Sequence, residues 1–316
     1  MRLDRWFKQH YPGLGFGALQ KLLRTGQVRV DGSRAKSDTR VVAGQSVRVP
    51  PIQSDARDTR PTTAKTIRNR TDEDALRGML LFENDTTYVL NKPAGLATQG
   101  GSGVVRHVDG MLEAWRNRKG EKPRLVHRLD RDTSGVLVIA KTRGAAQHYT
   151  RAFRKRDTEK VYWALVKGVP GKDEGRISNW LLKEQTPDGD RMRAVPHGTE
   201  GADHAISRWR IIDRVGQRLA WLEMKPETGR THQLRVHALG IDHPIIGDPK
   251  YFEADQNWDF PGGIQKRLHL HARRIVVPAH GEGTLDVTAP LPPHMQQSWN
   301  LLGFDEATGD AEEAPQ

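Results

Sequence analysis

The chain contains no cysteine. Disulfides, thiol nucleophiles and thiolate metal sites are therefore excluded, and the lack fits a reducing compartment. No stretch approaches the ~18 consecutive apolar residues of a membrane-spanning helix, and Met1-Arg2-Leu3-Asp4-Arg5-Trp6 lacks the apolar run of a signal peptide. These absences predict a soluble, cytoplasmic protein. Also missing are a phosphate-binding P-loop, a dinucleotide fingerprint, a G-x-S-x-G elbow and an H-E-x-x-H zinc motif. His232, His237, His243, His269 and His271 invite a metal reading, but His269-x-His271 is as readily one face of a strand. No metal and no cofactor is expected. Acid is scarce too: the net charge is +11, and residues 1–50 hold +7 of it, with ten Lys or Arg against Asp4, Asp31 and Asp38. Such an asymmetry favours a polyanionic partner held by a dedicated surface, although charge alone would also suit a solubilising one.

Four segments follow from patterning. Residues 1–50 read as a compact module, with helical spacing of Leu3, Trp6 and Phe7, then of Leu19, Leu22 and Leu23, on either side of Pro12-Gly13. Gly26 stands where a helix C-cap belongs, and alternating Val28-Arg29-Val30, a turn at Asp31-Gly32 and Val47-Arg48-Val49 read as strands. Residues 51–74 are polar and mixed in charge, the composition of a linker. Residues 75–300 alternate mostly strand-like segments (Thr87–Leu90, Val136–Lys141, Val161–Val166, Ile206–Ile212, Leu219–Met224, Ile275–Val277, Leu285–Thr288) with helical patterns at Ala145–Lys155 and Thr231–Leu239. Strands with few helices between them predict an α+β domain on a largely antiparallel sheet. Residues 301–316 hold five acids and no base and read as a disordered tail.

The most informative residues are His127-Arg128-Leu129-Asp130-Arg131-Asp132-Thr133-Ser134-Gly135, directly before the apolar run Val136-Leu137-Val138-Ile139-Ala140. Turn formers ahead of a buried strand put Asp130 on a tight loop with rigid support, a good place for a reactive carboxylate. Taken alone, Asp130 or Asp132 could equally cap a turn. A glycosidase pair is disfavoured, because such carboxylates face each other across ~5–9 Å from separate elements.

The H-R-L-D-x-x-T-S-G run closely resembles the signature of RluA-type RNA pseudouridine synthases. Gly229-Arg230-Thr231-His232-Gln233-Leu234-Arg235-Val236-His237 is similar to that family's G-R-T-H-Q-[IL]-R-x-H block, and Lys160-Val161-Tyr162 to its Lys-x-Tyr segment. Asn91-Lys92-Pro93-Ala94-Gly95 also matches a family turn beside the groove; it reads as structural, with Lys92 a possible contact to RNA backbone. The segments His243–Tyr251 and Arg267–Ala272 resemble family segments that read as scaffold. The resemblance implies a mixed, largely antiparallel sheet cleft by a central groove. Asp130 would be the catalytic residue, as nucleophile or as a base toward the sugar. Tyr162 would stack on the flipped base, replacing stacking worth ~1–3 kcal/mol. Arg235 would pair with Asp130, lowering the pKa of a carboxylate that burial would otherwise raise. Arg128 and Arg230 would contact RNA.

The string Leu22-Leu23-Arg24-Thr25-Gly26-Gln27-Val28-Arg29-Val30-Asp31-Gly32 is similar to the αL RNA-binding domain named after the fourth small-subunit ribosomal protein. That resemblance implies phosphate contacts from Lys21, Arg24, Arg29, Arg34 and Lys36. Such a module joined to this catalytic domain most resembles the large-subunit ribosomal RNA branch, RluC- or RluD-like, acting as a monomer on ribosomal RNA or an assembling particle. A transfer RNA substrate stays open, since motifs define chemistry while groove shape chooses the site. A non-enzymatic ribosome assembly factor is the other rival, disfavoured by the intact motif.

Overall fold

The computed structural model describes residues 1–11, 14–50, 62–101, 103–155, 157–186, 189–252 and 262–311. They fall into two compact units, Met1–Ala64 and Lys65–Gln316. Residues 51–61 of the expected linker and 312–316 of the expected tail lie outside the described residues.

In the first unit, α1 (Leu3–His10) and α2 (Phe16–Arg24) bury Leu3 with Phe7 and Leu19 with Leu23, each pair four residues apart and so on one helix face. They pack with Val28, Val30, Ala35 and Val41 beside a small antiparallel sheet of β1 (Arg29–Val30), β2 (Ser33–Arg34) and β3 (Val47–Arg48). Asp31 and Gly32 both take positive φ (48° and 78°), the two-residue turn whose twist suits a hairpin.

The second unit begins within α3 (Thr62–Gly78), where the sequence predicts linker as far as residue 74. Leu76 is wholly buried, and Asp72 pairs with Arg106 at 3.0 Å. The helix sequence carries no repeating apolar stripe for a sequence reading to find.

The strands that follow are β4 (Leu80–Glu83), β5 (Thr87–Lys92), β6 (Arg124–Leu125), β7 (Ser134–Ala140), β8 (Glu159–Lys167), β9 (Glu174–Thr186), β10 (Gly189–Val195), β11 (Asp203–Val215), β12 (Leu219–Pro226), β13 (Leu270–Pro278) and β14 (Thr284–Thr288). They make one α+β sheet in the order β10-β9-β11-β12-β8-β13-β7-β5-β4, with β14 paired to β13 and β6 to β7. All pairings are antiparallel except β13 with β7, which join in parallel through only His271 with Ser134 and Ala272 with Gly135. That short seam links the two halves of the sheet.

Helices cover both faces, which explains the unbroken apolar run in β7. Val136, Val138 and Ala140 pack on Ala145, Tyr149 and Ala152 of α5 (Arg143–Lys155). Leu137 and Ile139 pack on Leu76 and on Val108 and Met111 of α4 (Val108–Met111). In the other half, Ala220 and Leu222 pack with Leu234 and Ala238 of α6 (Gln233–Gly240). Trp163 and Trp221 pack with Met295 and Trp299 of α7 (Pro293–Leu302).

The expected disordered tail is corrected in part. Glu306–Ala311 form α8, and Arg273 accounts for its acids, donating to Glu306 at 2.9 Å and Asp310 at 2.5 Å while lying over the Trp163 ring. A Cβ on Gly309 would come within 2.6 Å of both Trp163 and Trp221, so glycine lets the helix seat. Low apolarity misleads here because α8 is held by ion pairs and a glycine contact.

Neutral histidines line the seam. His271 Nδ1 lies 2.9 Å from Ser134 Oγ and its Nε2 3.2 Å from the Ala289 carbonyl. Burial depresses His271 to about 3 and His269 to about 4. Both folded values lie below the ordinary 6.5, so between pH 6.5 and about 4 the unfolded chain binds protons the native state refuses. Stability should therefore fall as pH drops through that window, each histidine contributing a loss of about 1.4 kcal/mol for every pH step of one. Urea midpoints at pH 7 and pH 4.5 would check it, and His269→Gln should flatten the slope.

Candidate active site

Asp130 is positioned by its neighbours' main chain. The Thr98 hydroxyl donates to the Leu129 carbonyl at 2.7 Å and accepts the Leu129 N–H at 3.2 Å. On the other side of Asp130, the Arg131 carbonyl accepts the Gly95 N–H at 2.8 Å and the Lys92 ammonium at 3.1 Å. Lys92 is wholly buried and also donates to the carbonyls of Pro93 and Leu96, which uses its three N–H groups. The expectation that it could touch RNA is corrected: Lys92 and Gly95 of the Asn91–Gly95 turn are the rail that holds the Asp130 loop. Burial lowers the Lys92 pKa to about 7, with Asp132 and Asp130 opposing the drop.

Asp130, 19% exposed, lies where two cavities of ≈ 560 and ≈ 670 Å³ meet. The first is lined by Tyr162 from β8, Phe153 and Arg154 from α5, and Arg230 through Arg235. The second is lined by Thr98, Gln99, Asp132 and Lys250. Arg128 and Arg235 border both.

Arg235 projects from α6 toward the carboxylate, with Nη1 3.5 Å from Asp130 Oδ2. Its orientation comes from Asp248, which accepts from Nε at 2.7 Å and from Nη2 at 2.6 Å. This two-pronged grip fixes the guanidinium plane and leaves Nη1 for Asp130. Asp248 is itself wholly buried and accepts the N–H groups of Lys250 and Tyr251. Burial works against the Arg235 charge, but the Asp248 hydrogen bonds and the charges of Asp248 and Asp130 outweigh it and raise its pKa. The Tyr162 phenol is pushed well above its ordinary range by burial and then by Asp130, so it stays neutral.

Asp248 is the functional residue the sequence reading missed. The signal was Gly247-Asp248-Pro249, a carboxylate in a turn resembling a family segment, 13 residues from its partner. Asp248→Ala would strand a buried guanidinium and should cost about 3–5 kcal/mol. Arg235→Met combined with it should recover part of that loss in urea unfolding.

The expected RNA contacts sort unevenly. Arg128 is exposed with no partner among the described residues. Arg230 is exposed but tethered to the His204 carbonyl and Asp203. In the first unit Lys21, Arg24 and Lys36 line one concavity with Arg2. Arg29 does not join them: its guanidinium donates to the Gly26 and Gly32 carbonyls and braces the hairpin. Arg34 lies across Gly26. Among the described residues no three His, Asp or Glu side chains are grouped to hold a metal ion, and no helix is long and apolar enough to cross a membrane.

Residues 86–239, which include the Asp130 loop and the Arg235 helix, match the family described as RNA pseudouridylate synthase. Over 304 residues the chain is 35% identical to the ribosomal large subunit pseudouridine synthase C of Vibrio cholerae, covering 94% of this chain and 91% of that protein. The chain belongs to the RNA pseudouridine synthase family. This synthase is also 36% identical over 294 residues to the protein of the same description from Yersinia pestis, covering 92% of this chain and 88% of the relative. The solved structure of human RNA pseudouridylate synthase domain containing 4 superposes with a TM-score of 0.61 at 28% identity, covering 76% of the synthase and 98% of the human chain.

Proposed function

We propose that this synthase isomerises defined uridines of large-subunit ribosomal RNA to pseudouridine, with Asp130 acting at the sugar. One observation carries the reading: a half-buried carboxylate at the meeting of two cavities, faced by a guanidinium that a second carboxylate orients. The reaction breaks C1′–N1, turns the detached uracil and joins C1′ to C5. The C5 hydrogen leaves to solvent while N1 gains a proton, so atoms balance without a co-reactant. Asp130 serves either by adding to C1′ or by removing a sugar proton. A flipped base needs a surface to replace its lost stacking, and Tyr162 offers a neutral ring on the cavity wall. Arg235 keeps a fixed positive charge beside the carboxylate throughout.

The relatives' descriptions support the ribosomal substrate, since the likeness to the Vibrio cholerae protein extends over 94% of this chain. The first unit serves as an αL-type RNA-binding domain, with Lys21, Arg24 and Lys36 on phosphates and tethering that raises the effective RNA concentration at the catalytic unit. Arg128, exposed at the mouth of both cavities, meets RNA backbone. The enzyme works as a cytoplasmic monomer without metal or cofactor.

The test is tritium release from RNA labelled at uracil C5. Release from a large-subunit rRNA transcript, with none from transfer RNA, is the expected result. Release from transfer RNA alone would move the substrate to that class. Binding of rRNA without release would favour an assembly role.

A further inference from the structure

His232 occupies an unusual place. It takes a left-handed backbone conformation (φ 52°, ψ 17°) immediately before α6, a region uncommon for residues other than glycine and entered mostly by asparagine, aspartate and histidine. The conformation brings its ring between two groups. Nε2 lies 3.9 Å from Asp130 Oδ2, and Nδ1 lies 2.9 Å from the Tyr251 hydroxyl. The Tyr251 oxygen accepts the Met192 N–H at 2.8 Å, from β10. The phenol's own proton then has His232 Nδ1 as its acceptor among the described residues. An imidazole whose Nδ1 accepts must carry its proton on Nε2, the nitrogen that faces Asp130. Burial, opposed by the Asp130 charge, keeps the His232 pKa below its ordinary value, and burial raises that of the Tyr251 phenol, so both groups hold the protonation this chain of donors needs.

Both neighbours of Asp130 approach the same oxygen. The Arg235 Nη1 contact at 3.5 Å and the His232 contact fall on Oδ2, and among the described residues Asp130 accepts no hydrogen bond at Oδ1. At these distances the groups stand slightly outside hydrogen-bond range, as catalytic contacts often do before substrate closes the site.

We propose that His232 is a positioning residue: locked as the Nε2–H tautomer by Tyr251, it holds Asp130 Oδ2 together with Arg235 and leaves Oδ1 as the oxygen that reacts. The inference rests on the assignment of Asp130 to the reaction. It joins the β9–β10 hairpin to the reacting carboxylate through one hydroxyl.

Four variants of the full chain test it: His232→Asn, which tolerates the left-handed backbone but falls short of Asp130, His232→Gln, whose longer amide restores an N–H, Tyr251→Phe, and Asp130→Asn. Single-turnover rates with saturating rRNA transcript, RNA dissociation constants and long-range 1H–15N spectra of the histidine side chains are the readouts. His232→Asn and Tyr251→Phe should each lower the rate about 10- to 100-fold, the scale of a misplaced reacting group. RNA affinity should hold, and His232→Gln should recover most of the rate. The wild-type spectrum should show His232 protonated at Nε2, and Tyr251→Phe should mix the tautomers. Where His232→Asn does not fold, Tyr251→Phe reads the same lock. An Nδ1–H tautomer, or unchanged rates in His232→Asn and Tyr251→Phe beside an inactive Asp130→Asn, would overturn the inference alone. Turnover retained in Asp130→Asn would overturn the assignment of Asp130 as well.

Discussion

Asp130→Asn should abolish pseudouridine formation, lowering the single-turnover rate on the order of 10^4-fold or more, the scale seen when a nucleophile is removed. An amide of the same shape neither adds to C1′ nor removes a sugar proton. The fold should tolerate it, because Arg235 keeps its two-pronged bond to the buried Asp248 and the loop keeps its supports at Leu129 and Arg131. RNA affinity should stay nearly intact, since the basic side chains that meet phosphate are untouched. Asp132→Asn is the matched comparison. Asp132 pairs with exposed Arg131 at 3.4 Å, so its loss should leave most activity in place. Equal loss in both variants would point to general damage of the loop.

Gly135→Ala should prevent stable folding. Gly135 has φ 111°, and a Cβ there would fall 2.7 Å from the Ala272 N and C atoms and closer still to the Ala272 carbonyl oxygen. Backbone on both sides leaves nothing flexible to yield. The clash lies in the two-residue parallel seam between β7 and β13, so relieving it would separate the halves of the sheet. The expected cost exceeds ~4 kcal/mol, the range reserved for broken backbone geometry in a core. Gly95→Ala separates the causes: its φ of 90° is also positive, but a Cβ there meets nothing within 4 Å. It should lose only about 1–3 kcal/mol of backbone strain. Thermal melting of the two variants against wild type would decide, and equal melting temperatures would contradict the seam argument.

The two glycines show what the sequence made legible. The buried strand and the loop bearing Asp130 ahead of it could be read from local residue types, because each follows from propensity and apolar patterning, but Ser134 and Gly135, read as turn formers, already belong to β7 and pair with His271 and Ala272. The structure brings Asp130, Tyr162 and Arg235 to the wall of one cavity. What holds them was not legible. Asp248 and Tyr251 act on residues 13 and 19 positions away, and Lys92 reaches a carbonyl 39 positions away. No local pattern encodes such partners. The long β9 strand escaped notice because its residues are mostly exposed or half-buried, so no apolar alternation marks it. In α8, charge concealed order: Glu306 and Asp310 suggest a solvated tail until Arg273 is seen between them.

The central claim, that the protein makes pseudouridine at defined sites of large-subunit ribosomal RNA, is most directly tested by carbodiimide mapping of total RNA from cells with and without it. The expected result is the loss of particular modified positions from large-subunit RNA, restored by the wild-type chain and not by Asp130→Asn. An unchanged ribosomal map, with modified positions lost from transfer RNA or from no RNA at all, would contradict it.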